Sequence, residues 1–118
     1  MPQNAPPSAT EFFDTQTLTQ LVERCFDLSM SAAVPTRTRA EYLAHGKRLR
    51  ELLLRLLGAR FDATSAEFQK ASSALSDTNA ALARAAGDLQ QVTQVVARVG
   101  ELAGYLDQAL SVAGRLIP

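Results

Sequence analysis

The chain has 118 residues, 47% apolar and 20% charged, long enough for one domain with its own core and close to an ordinary globular composition. A single cysteine, Cys25, excludes an internal disulfide and a thiolate metal cluster, and the single histidine, His45, leaves a zinc site without its second imidazole. The formal net charge is zero, without the basic excess of most nucleic-acid binders.

The first predicted element is a polar tail. Residues 1–9 hold Pro2, Pro6 and Pro7 and read as disordered; they lack the charged head and apolar run of a signal peptide. No apolar run approaches the roughly 18 residues of a membrane span, so cytoplasm is the expected compartment. Residues 10–118 read as a single all-α domain, because alanine is abundant and strand formers are few.

A first helix is expected over about 11–33, capped by Ser8 or Thr10. Leu18, Leu21, Val22, Cys25, Phe26 and Leu28 recur at helical spacing, and Pro35 ends the pattern by disfavouring helix at Val34. Cys25, set among apolar neighbours, reads as a core residue.

A second helix is expected over about 37–58, preceded by Thr36 or Thr38, and Thr38-Arg39-Ala40-Glu41 has the capping-box form. Tyr42, Leu49, Leu52, Leu53, Leu56 and Leu57 make its apolar face, and Gly58 is a plausible stop. Lys47, Arg48, Arg50 and Arg55 fall mostly off that face and form the candidate basic surface. The charge is unevenly distributed around this helix: residues 1–35 carry net −3, residues 36–60 net +5 and the remainder net −2. A turn from Gly58 to Thr64 follows, with Asp62 or Thr64 as the next cap.

The strongest pattern comes last. Alternating steps of three and four from Phe68 give Ala71, Leu75, Thr78, Leu82, Ala85, Leu89, Val92, Val96, Val99, Ala103, Leu106, Leu110, Ala113 and Ile117, and all fifteen positions but Thr78 are apolar. Such a repeat is the mark of a supercoiled helix seam. Ala74, Ala81, Val95, Leu102, Ala109 and Leu116 widen the stripe, as in a bundle. One helix over about 64–115 would be on the order of 75 Å long at 1.5 Å per residue, and the first two helices would cover only half of it. The exposed remainder would have to associate. The expected fold is thus a helical hairpin followed by a long heptad-patterned helix, assembled as an oligomeric bundle or coiled coil. The interaction seam is Leu82, Leu89, Val92, Val96, Val99, Leu106 and Leu110.

The rival fold turns at Ala86-Gly87-Asp88, with Gly87 ending one helix and Asp88 with Gln91 capping the next, to give a monomeric up-down four-helix bundle. The heptad phase runs through residues 85–89 unchanged, which favours the unbroken helix.

Chemistry is sparse. His45 and Glu41 share a helix face as half a metal site, but basic neighbours make His45 read as a surface residue. No nucleophile–base pair, phosphate-binding glycine loop or Glu-x-x-His pair is present. No catalytic, metal or cofactor residue is assigned. Tyr42 is the only aromatic of the second helix, so base stacking is poorly supported, and nucleic acid and membrane are disfavoured as partners. The expected function is non-enzymatic: a scaffold that self-associates as a dimer or higher, or docks a partner helical protein. The alternatives are a monomeric four-helix adaptor or secretion-type chaperone, and a nucleic-acid-associated protein using the basic helix.

Overall fold

The computed structural model describes residues 10–113, so the expected tail over 1–9 and the positions Leu116 and Ile117 lie outside the described residues. The order is β1 (Thr10–Phe12), α1 (Thr15–Ser29), α2 (Thr36–Leu56), β2 (Arg60–Asp62), α3 (Ala66–Ala85) and α4 (Leu89–Ala113). The fold is all-α with one small addition, an antiparallel pair in which Thr10 faces Asp62 and Phe12 faces Arg60.

That pair corrects the expected start of the first helix. Residues 10–12 are held as a strand, and Phe13 is buried edge-on against Phe61 and Phe68, with ring centroids 6.0 and 5.9 Å apart. The helix therefore begins at Thr15, and its cap is Asp14, whose carboxylate accepts from the Thr17 amide at 3.0 Å and the Thr17 hydroxyl at 2.7 Å. These bonds hold the Asp14 carboxyl below its ordinary range. The helix stops at Ser29, short of the expected 33, and Val34 turns into the core ahead of Pro35.

Two further caps move. Pro35 occupies the N-cap of α2, so the helix starts at Thr36 and buries Thr38 in its first turn, and the expected box at Thr38 does not form. Asp62 shapes the turn before α3, accepting from the Thr64 amide and hydroxyl, while the cap itself is Ser65, which accepts from the Phe68 amide at 3.2 Å. Gly58, at φ +78°, follows the end of α2.

The unbroken third helix is also corrected. Gly87 takes φ +85°, in the left-handed region that glycine enters without strain, and Asp88 accepts from the amides of Gln90 and Gln91 at 3.1 and 3.3 Å. α3 ends and α4 begins across this three-residue turn. Folding back covers the stripe inside the chain: Val92, Val95, Val96, Val99, Leu102 and Leu106 are all buried. At about 25 cal/mol per Å² of apolar surface removed from water, that burial outweighs the backbone hydrogen bonds interrupted at one capped turn.

The two hairpins lie side by side, α1 against α3 and α2 against α4, leaving α2 and α3 on one diagonal. Contacts along the second seam advance together: the Tyr42 hydroxyl donates to the Val92 carbonyl at 2.5 Å, His45 lies against Gly100, and Arg55 reaches Asp107 at 3.7 Å. α2 and α4 are thus parallel. Within the first hairpin, Gly46 permits close approach, since a Cβ there would lie 3.2 Å from Phe26 Cε1 and 3.3 Å from Cys25 Cβ.

Candidate functional site

The expected seam faces the chain's own core. Leu82, Val92, Val96, Val99 and Leu106 are buried, Leu110 is half-buried, and Leu89, beside the turn, is 45% exposed. In this fold the seam has neighbours on α2 and α3 and presents little to a second molecule.

The candidate basic surface is where the sequence places it. Lys47, Arg48, Arg50 and Arg55 are all exposed on α2. Arg55 pairs with Asp107, the one ion pair among the described residues, and both side chains are more than half exposed, so the pair contributes little. Arg50 stacks its guanidinium over the Phe26 ring, 5.5 Å from the centroid.

Three leucines accompany these cations. Leu43 is 38% exposed, Leu54 66% and Leu57 56%. Leu57 was expected on the inner face, but it caps α2 in extended conformation and points away from the core. Leu43, Lys47, Arg50, Leu54 and Leu57 are spaced by four, three, four and three residues, so α2 carries a second heptad row on its outer side. The spacing is present in the sequence, where it overlaps the inner apolar face of α2 and the longer repeat after Phe68.

The groups with potential for chemistry are sequestered. Cys25 is fully buried and its thiol is pushed up to about 12 by desolvation, which removes thiolate reactivity. Burial likewise pushes the Tyr42 hydroxyl up. His45 departs from the expected surface position: it is half-buried on Gly100, where a Cβ would sit 3.0 Å from its Cε1. Desolvation lowers its pKa, Glu41 opposes that shift and Arg48 adds to it. The signal for this contact was Gly100 itself, a glycine within a helix. No group of three or more His, Cys, Asp or Glu side chains placed to hold a metal occurs among the described residues, and none of the described helices is long and apolar enough to cross a membrane.

No family model, curated protein or solved structure matches the chain. The surface is therefore read from its own chemistry. The outer side of α2 presents a ridge of aliphatic and cationic side chains.

Proposed function

We propose that this chain is a non-enzymatic helical interaction module that docks a protein partner on the outer face of α2. The observation that carries the reading is the exposed row Leu43, Lys47, Arg50, Leu54 and Leu57. The seam first expected to do this work is replaced by that row, because its residues are used to join the two hairpins. The bundle behind the row is a scaffold whose contacts hold α2 rigid, which lowers the ordering cost of docking.

The test is site-specific photocross-linking in cells that make the protein. A photoreactive phenylalanine analogue is placed at Leu54 in one variant and at Gln94, exposed on α4, in another. A discrete adduct from position 54 and none from position 94 is the expected result. Equal adducts, or none from position 54, reject α2 as the docking face.

A further inference from the structure

The reading above leaves the occupant of the α2 face open, and α1 supplies a candidate. The outer side of α1 carries Gln16, Gln20, Glu23, Asp27 and Met30, all exposed and again spaced by four, three, four and three residues. The two helices of the first hairpin thus present two heptad rows to solvent, one acidic and one basic. Neither row is neutralised inside the chain, where Arg55–Asp107 is the one ion pair among the described residues.

Like rows do not match. With α2 laid in register on a second α2, Lys47 and Arg50 would face cations; antiparallel about the centre of the row, Arg50 would face Arg50 and Lys47 would face a leucine. Placing α1 on α2 removes the conflict, and the geometry of the hairpin fixes the register. Within one chain Cys25 and Phe26 stand level with Gly46, and Arg50, one turn on, reaches Phe26. By the same antiparallel register Asp27 stands within about one helical turn of the height of Lys47, Glu23 of Arg50, and Met30 of Leu43, gaps that these long side chains span. A two-fold axis parallel to the helices keeps every height and exchanges left with right, so each α1 then faces the other chain's α2, antiparallel and in that register.

We propose that two copies of this chain form a closed two-fold dimer through the outer layer made by α1 and α2. Glu23 meets the partner's Arg50, Asp27 meets the partner's Lys47, and Met30 packs on the partner's Leu43. Gln20 and Gln16 stand opposite the partner's Leu54 and the partner's Leu57. Symmetry repeats each contact, giving four charge pairs, and the isologous arrangement leaves no open end for a filament. The charge asymmetry between residues 1–35 and 36–60 then acts as the pairing code of the dimer. The proposal rests on the docking role of the α2 face and names its occupant.

The experiment is sedimentation equilibrium of the full chain from micromolar to several hundred micromolar, at 50 mM and at 1 M salt, with circular dichroism to verify that each variant is folded. Wild type is expected to sediment as a dimer that weakens in high salt. E23K/D27K, all positive at the contact, and K47E/R50E, all negative, should each weaken the dimer at least tenfold. Mixed in equal amounts, the two should form a heterodimer, because all four pairs are restored in it. A 12.7 kDa monomer throughout the range overturns the proposal, as does a dimer indifferent to charge reversal. A monomer in solution together with a position-54 adduct to a different protein would remove the dimer and leave the docking role of α2 standing; no adduct at position 54 removes both.

Discussion

α2 and α4 run parallel along one seam, yet they place their apolar residues differently. α4 buries a wide stripe, from Val92 through Leu106 to Ala113, between α2 and α3. α2 buries Tyr42, Leu49, Leu52 and Leu56 on one side and keeps Leu43, Leu54 and Leu57 in solvent on the other. Both helices carry aliphatic residues at steps of three and four, leucines in α2 and valines with leucines in α4. What separates them is how many neighbours the chain provides on each side, and only the side left without one is available to another molecule.

The widest way to break this contrast is to place a charge on each helix. Val99→Asp, fully buried, should cost roughly 4 kcal/mol by leaving a carboxylate without a partner, whereas Leu54→Asp should change stability by less than about 0.5 kcal/mol. Urea denaturation followed by circular dichroism measures both; equal costs would mean that the inner and outer rows have been confused.

Gly46→Val tests the close packing behind α2. The added methyls meet Phe26 and Cys25, and the expected loss is about 2 kcal/mol. A neutral result would show that α1 and α2 stand farther apart.

Gly87 offers a test in the sign of an effect. In the hairpin, Gly87→Ala forces a Cβ into the left-handed region and should lower stability by about 1 kcal/mol. In an unbroken helix the same change would raise it by a similar amount, so the direction of the shift in urea midpoint separates the two folds. Tyr42→Phe, which removes the hydrogen bond to Val92, should cost about 1 kcal/mol, without changing the helix content of the folded state.

The smallest effect is that of His45. Desolvation lowers its pKa in the fold from the ordinary 6.5, so below that value the unfolded chain binds the proton more readily and stability falls as the pH drops. The stability is fully present above 6.5 and is lost as the pH falls through the lowered value. Asp14, with its pKa also lowered, from 3.8, acts only at more acid pH. A stability profile between pH 7 and 5 that loses its slope in His45→Gln assigns the effect to this ring; an unchanged slope removes it.

Much of the fold was legible without coordinates. The apolar spacing of Leu18, Leu21, Val22 and Cys25, and of Leu49, Leu52 and Leu56, marks inner faces that are buried as expected, since periodicity reports which side of a helix is apolar. Caps were harder to place. Ser65 and Asp14 serve where neighbours were favoured, because several polar residues near a helix start compete and the strand pair decides which of them is in position.

The basic surface at Lys47, Arg48, Arg50 and Arg55 was legible because long charged side chains stay in water. The leucines beside it were not recognised, since their exposure depends on which sides of α2 are covered. The sequence by itself determined that the chain is helical, which faces are apolar and where its charge lies, because these follow from local spacing and composition. Only the tertiary structure decided that the heptad stripe is covered from within. A phase that runs through Ala85, Leu89 and Val92 is equally compatible with one helix or two, and the choice turns on whether α2 and α3 can reach the stripe once Gly87 reverses the chain.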